Sequence, residues 1–287
     1  MADRKLKEVL SRAAAQLKKA GVDSPALSAQ LFAEKVFDLN RVQLIIELES
    51  SVDSEKLAEF EALVKRRASG EPAAYILGVK EFYGFEFKVG PGVLIPRPET
   101  EEIVEKVQQL FRADDKFLFA DFGTGSGILA VTVAKLFPES QVVAVDLSAS
   151  ALTIARENAL LHHVAERVQF VRADFNEPLL ADAKFDLILA NPPYLCEAEL
   201  EDISSEVAEF EPVSALVSGP AGDEDIKGSA PRIAAALKKG GTVFMEIGYL
   251  QGQKAYEIFD SCAAFEGCVA IHKDLSGHDR IVVAKKR

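Results

Sequence analysis

The stretch "FLFADFGTGSGILAVTVAKLF", residues 117–137, decides the fold. Phe117 to Asp121 is a short apolar run ending in an acid, the pattern of a buried strand. Ser126–Phe137 reads as a helix. Between them Gly123, Gly125 and Gly127 let the chain turn sharply and let a ligand approach without meeting a Cβ. The N–H groups at such a helix start favour an anionic group. The spacing is GxGxG. It is neither the dinucleotide GxGxxG nor a P-loop, because no Lys-Ser/Thr follows. A tight strand–helix turn without a ligand is the alternative.

The alternation continues outward. Further strands are expected at "QVVAVD" (141–146), "VQFVRAD" (168–174), "FDLILAN" (185–191), "GTVFMEIG" (241–248), "CVAIHKD" (268–274) and "RIVVAKK" (280–286). Helices are expected at Ala149–His162, Ser229–Lys238 and Leu250–Cys262. This order predicts an α/β fold with a mostly parallel sheet covered by helices on both faces. Ligands of such sheets bind at the carboxyl ends of the strands, near the point where strand order reverses.

The strand ends carry the polar residues. Asp146 closes the second strand 23 residues after Gly123, where an acid typically accepts hydrogen bonds from ribose hydroxyls. Ser148 starts a helix beside it, so a helix-terminal carboxylate is the alternative. Asp174 and Phe175 close the third strand and offer an acid and a ring for an adenine; a loop carboxylate beside a packed ring is equally open. The fourth strand ends in Asn191-Pro192-Pro193-Tyr194. The lone pair of a planar –NH₂ group is delocalised, so its hydrogens must be engaged from behind while an electrophile is held in line. The Asn191 oxygen accepts one N–H and a proline carbonyl takes the other. Prolines fix φ and donate nothing, which keeps that carbonyl in place. Tyr194 supplies a flat wall for stacking. Positioning is then the main catalytic effect. A Pro-Pro turn with Asn as a cap is the bland alternative.

Residues 1–70 read as helices. Leu6, Val9, Leu10, Ala13 and Leu17 recur on one face. Ser24 and Ser54 are the expected N-caps, with Pro25 at the first helical position and Gly70 as a stop. Residues 71–98, rich in Gly, Pro and aromatics, predict a hairpin and loops. The expected division is a helical domain over 1–72, a hairpin or linker over 73–98 and the α/β domain over 99–287.

At 287 residues and 48% apolar the chain can build real cores. No apolar run of membrane length is present. The charged N-terminus lacks a signal peptide's apolar segment, which predicts a cytoplasmic protein. Cys196, Cys262 and Cys268 show no pairing or metal spacing and read as free thiols; no metal site is expected, His162-His163 lacking a third ligand. Residues 1–75 hold twelve charges of each sign, so the whole net charge of −12 falls on the remainder. That balance argues against broad nucleic-acid binding.

The combination "DFGTGSG", "VDLS..AL..A..N" and "FDLILANPPY" resembles the Rossmann-like class I S-adenosylmethionine-dependent methyltransferases that act on planar amino groups. "LIPRPETE" (94–101), "EPVSALVSGPAG" and "MEIGYLQG" narrow the likeness to the HemK/PrmC family of peptide chain release factor N5-glutamine methyltransferases. The resemblance implies S-adenosyl-L-methionine as methyl donor, with S-adenosyl-L-homocysteine as product. It implies a class I release factor as protein substrate, methylated on the glutamine of its Gly-Gly-Gln loop, in support of translation termination. Gly123, Thr124, Gly125, Ser126 and Gly127 would line the donor pocket, and Asp146 would hold the ribose. Asp174 and Phe175 would meet the adenine, Phe175 standing where the family often carries Trp. Asn191 would touch both donor and glutamine, with Pro192, Pro193 and Tyr194 completing the grip. Arg97, Glu99 and Thr100 would lie near the donor or serve the structure. The helical domain would dock the substrate. A ribosomal-protein glutamine methyltransferase, or a DNA or rRNA amino-methyltransferase, shares the chemistry.

Overall fold

The computed structural model describes residues 4–178 and 184–287. Its chain forms two compact units. The first ends at Gly78 and also takes in Ser204–Phe210; the second holds Val79–Ile203 and Glu211–Arg287.

The first unit contains α1 (Leu6–Lys19), α2 (Pro25–Phe37), α3 (Arg41–Ile46), α4 (Ser54–Ala68) and α5 (Ala73–Leu77). The stripe Leu6, Val9, Ala13, Leu17 on α1 packs with Phe32 and Val36 of α2 and Phe60 and Val64 of α4. The caps differ from the sequence expectation. Ser24 adopts a left-handed conformation and its hydroxyl caps nothing, leaving Pro25 to open α2. The N-cap of α4 is Asp53, which accepts from the Glu55 and Lys56 N–H groups; Ser54 is the first helical residue. A carboxylate two atoms beyond Cα reaches those donors, so the acid displaces the neighbouring serine. Gly70, at φ +97°, follows α4 as the stop.

The second unit opens with a hairpin, β1 (Val79–Phe82) and β2 (Phe85–Lys88). Tyr83 and Gly84 both take positive φ at its turn, the geometry that matches strand twist. Phe82 and Phe87 are buried in this unit's core, so the hairpin is an integral part of it. Then come α6 (Glu101–Leu110), β3 (Leu118–Phe122), α7 (Ile128–Leu136), β4 (Gln141–Asp146), α8 (Ala149–Leu161), β5 (Val168–Arg172), β6 (Phe185–Ala190) and β7 (Leu195–Cys196). After α9 (Ser205–Phe210), which belongs to the first unit, follow β8 (Val217–Gly219), α10 (Glu224–Ala236), β9 (Leu237–Glu246), α11 (Gly252–Ser261), β10 (Val269–Lys273) and β11 (Asp279–Lys285).

All seven expected strands enter one sheet in the order β10-β11-β9-β6-β3-β4-β5. The pairs β3–β4, β4–β5, β3–β6 and β6–β9 are parallel; β9–β11 and β10–β11 are antiparallel. The central strands are apolar on both faces because helices cover both. One boundary moves: α10 begins at Glu224 and carries Pro231 in its interior, and β9 starts at Leu237. Proline there removes one helical hydrogen bond, and the burial of Ile226, Ala230 and Ile233 offsets the loss. No helix among the described residues is long and apolar enough to cross a membrane. All three cysteines are free.

The chain runs from β3 outward to β5, then returns to β6 on the other side of β3. The switch point therefore lies between β3 and β6, where Phe122 pairs with Ala190. Their carboxyl ends carry Gly123 and Asn191 side by side.

Candidate active site

Above this switch point lies a cavity of about 550 Å³, the size of a small-molecule site. Gly123, Thr124, Gly125 and Ser126 line it, with Asp146, Asp174, Phe175, Asn191 and Pro193. A Cβ on Gly123 would stand 3.5 Å from the Phe175 ring and 3.7 Å from the Asn191 carbonyl oxygen, so the bare Cα keeps this corner open. Phe175 stacks on Phe122 at 6.0 Å between ring centroids, which holds its face in place.

Three expected residues are not in the lining. Gly127 turns toward α8, where a Cβ would meet Ala155 Cβ at 3.1 Å and Cα at 3.2 Å; it permits close helix packing. Pro192 is buried behind the lining. Tyr194 also sits behind it, its carbonyl accepting from Gln251 Nε2 at 2.8 Å. Burial pushes its hydroxyl up to about 12, with the Glu246 carboxylate acting in the same direction.

Four N–H groups of the glycine loop are engaged within the fold. The Gly123 and Thr124 N–H groups donate to the Val145 carbonyl, that of Gly127 to the Thr124 carbonyl, and that of Gly125 to Asp146 Oδ2. An anion would find these donors taken. The cavity instead presents carboxylates, from Asp121, Asp146, Asp174 and Asp225. Asp146 also accepts from the Ser148 N–H on its other oxygen, so it is a helix-start carboxylate and a cavity residue together. Burial raises its pKa. Asp174 closes a local turn by accepting from the Asn176 N–H.

Asp121, the acid that ends the apolar run of the first expected strand, is a residue to which the sequence assigned no role. Its Oδ2 accepts from the Thr124 hydroxyl at 2.6 Å and the Ala130 N–H at 3.1 Å, while its buried Oδ1 has no partner. Burial lifts this carboxyl to about 7. Asn158 is a second. It donates to the Ser126 and Lys88 carbonyls and accepts from the Lys88 N–H, tying the glycine loop to β2.

"LIPRPETE" comes to the same place. Leu94, Pro96 and Arg97 line the cavity. Arg97 pairs with the buried Glu211 at 2.7 Å, and Glu211 also accepts from the Ile95 N–H. Thr100 reaches Asn191: the Asn191 Nδ2 donates to Thr100 Oγ1 at 3.1 Å, and Thr100 donates to Glu246 Oε2 at 2.6 Å. Glu246 ends β9 as Asn191 follows β6, and β6 and β9 are parallel neighbours. Applying the strand-end rule to "MEIG" would have found it.

Residues 8–78 match the PrmC N-terminal domain and residues 103–209 the methyltransferase small domain. The release factor glutamine methyltransferase of Nitratidesulfovibrio vulgaris is 40% identical over 281 residues, 98% of this chain and 95% of that one. The chain belongs to the release factor glutamine methyltransferase family. Another member, from Koribacter versatilis, is 38% identical over 98% of both chains, and one from Chlorobaculum tepidum is 39% identical over 90% of both. A methyltransferase structure from Pyrococcus furiosus shares the fold at a TM-score of 0.52, with 17% identity over 79% of this chain and 97% of that one. In this release factor glutamine methyltransferase the class I methyltransferase fold thus places a polar amide at the switch point of its sheet.

Proposed function

We propose that this enzyme transfers a methyl group from S-adenosyl-L-methionine to the side-chain amide nitrogen, N5, of the glutamine in the Gly-Gly-Gln loop of class I peptide chain release factors. The observation that carries the reading is Asn191, whose backbone carbonyl lies beside Gly123 and which lines a cavity rich in carboxylates. When bound, the donor supplies an electrophilic methyl group on a positively charged sulfur. Its positive charges and its diol suit this acid-rich lining. Asp146 has one lone pair left on each oxygen for ribose hydroxyls. The unpartnered Asp121 Oδ1 suits an ammonium group. Phe175 and Asp174 suit an adenine face and edge.

For the substrate, Asn191 Oδ1 accepts one glutamine N–H and a proline carbonyl of the same turn the other. The nitrogen is thereby held with its hydrogens engaged and one face turned toward the methyl group. The new N–C bond forms as the S–CH₃ bond breaks, leaving S-adenosyl-L-homocysteine, and the excess proton leaves along one of the two N–H bonds held by these acceptors, to water. The rigid prolines keep both acceptors in place before the substrate arrives, so little reorganisation is required. Tyr194 serves from behind as a support. The helical segment, residues 1–72, docks the release factor; the exposed Val42, Ile45 and Ile46 of α3 support that assignment.

The purified protein is expected to transfer label from S-adenosyl-L-methionine to a release factor, and not to one whose loop glutamine is replaced. Equal labelling of both would defeat the assignment. Mass spectrometry of the labelled peptide locates the methyl group.

A further inference from the structure

Asn191 serves the reaction only in one of its two amide orientations. With Oδ1 toward the substrate it accepts an N–H. Flipped about its last side-chain bond, it turns an –NH₂ toward an –NH₂ and repels. The two orientations have the same shape, so packing cannot choose between them; hydrogen bonding must.

The choice is made away from the cavity. Thr100 and Glu246 are both essentially inaccessible, at 0% and 1% exposure. An ionised carboxylate only accepts. The single Thr100 proton is therefore committed to Glu246 Oε2, at 2.6 Å. That leaves Thr100 Oγ1 as an acceptor, and the group facing it at 3.1 Å must be the Asn191 –NH₂. Oδ1 is then turned away from Thr100. The chain of donors runs one way, from Asn191 through Thr100 to Glu246, and its direction is set by the charge at the far end.

We infer that Thr100 and Glu246 are positioning residues that fix the Asn191 carboxamide with its oxygen toward the substrate amide. The inference rests on the reading that Asn191 accepts from the glutamine –NH₂. It gives a function to two residues that touch neither donor nor substrate. It also explains why a carboxylate is buried here without a full ion pair. The groups that act on Glu246 are Thr100, Arg280, Glu99 and Tyr194. Burial drives the carboxyl up to about 7; the Thr100 hydroxyl, Arg280 and Tyr194 favour its charged form and Glu99 opposes it. Protonation would let Glu246 donate to Thr100. Thr100 could then donate to Asn191 Oδ1, and the amide orientation would reverse.

The test compares Thr100→Val, Thr100→Ser and Glu246→Gln in steady-state methylation of a release factor, with donor affinity by calorimetry and a thermal melt of each variant. Val keeps the shape of Thr but offers no acceptor. Thr100→Val should lower kcat about 10²-fold, the usual loss for one misplaced polar group in an active site, with donor Kd changed by less than about threefold. Thr100→Ser should recover kcat to within about threefold of the parent. The parent's kcat should fall as pH drops below about 7. Glu246→Gln, which can accept or donate, should be slower and should lose that acid limb. Equal kcat for Thr100→Val and the parent, equal impairment of Thr100→Ser and Thr100→Val, or an unchanged acid limb in Glu246→Gln would each overturn the inference. A parent enzyme that methylates no release-factor glutamine would instead overturn the proposed function on which it rests.

Discussion

Replacing Asp146 by Asn separates its two roles with almost no change of shape. Each carboxylate oxygen accepts a backbone N–H at 2.8 Å, from Gly125 on one side and Ser148 on the other. The amide keeps one acceptor and turns an –NH₂ toward the other N–H. One hydrogen bond to a charged group is lost, about 1.5–3 kcal/mol. Relief of a buried charge, already felt as the raised pKa of this carboxyl, offsets part of it. A net destabilisation of about 1 kcal/mol remains, which lowers Tm by about 2–4 °C in a chain of this size. The effect on the donor is larger. One of the two lone pairs facing the ribose diol is lost along with the charge, so Kd for S-adenosyl-L-homocysteine should rise roughly 10- to 150-fold. At saturating donor, kcat should stay within about threefold, because the glutamine is held from the end of β6. Calorimetry gives Kd, a thermal melt controls for folding, and single-substrate kinetics give kcat. A folded variant with Kd within twofold of the parent would reduce Asp146 to a helix-start carboxylate and refute the ribose assignment.

Three further outcomes follow from the same geometry. Asn191→Ala removes an acceptor from the substrate and should lower kcat by about 10²–10³-fold while donor Kd changes little; unchanged turnover would show that Asn191 does not grip the glutamine. Gly127→Ala combines a left-handed φ of +84° with contact at 3.2 Å to the Ala155 backbone, and should cost about 2–4 kcal/mol in urea unfolding; a loss under about 0.5 kcal/mol would contradict the close packing of α7 on α8. Burial holds Asp121 and Glu246 near 7, so the folded protein keeps protons that the unfolded chain releases at ordinary carboxylate values. Their contribution to stability is thus full below about pH 4 and is lost as pH rises through about 7, with a slope of up to about 1.4 kcal/mol per pH unit for each group. Asp121→Asn should melt with a shallower decline between these limits, and an identical slope in variant and parent would refute the shift.

Much of the site is written in local pattern. Apolar runs bounded by Gly, Asp and Asn define the strands of the sheet, and each strand's last residue is legible without knowing its neighbours. The strand-end rule therefore brings Gly123, Asp146, Asp174 and Asn191 to one edge from the sequence alone. Local pattern is weaker where neighbours compete. The capping of α4 by Asp53 over Ser54, and Pro231 inside α10, depend on which group reaches a donor and on how much apolar surface is buried. The glycine loop illustrates the same limit. Its composition suggests an anion cradle, yet the N–H groups of Gly123, Thr124, Gly125 and Gly127 are spent on Val145, Asp146 and Thr124, and four aspartates line the cavity.

By itself, then, the sequence determined the alternating fold, the edge on which the cavity lies and the polar side chains at the strand ends, because these depend on residues within a few positions of each other. Only the tertiary structure decided that β6 lies beside β3, so that Asn191 abuts Gly123. It alone decided that Gly127 faces a helix, that Tyr194 stands behind the cavity, and that Asn191 is oriented by Thr100, 91 residues away, which is held in turn by Glu246 at a separation of 146. The reason is physical. An amide has no preferred direction until a partner supplies one, and here the partners are brought to it by strand pairing and burial rather than by neighbourhood in the chain.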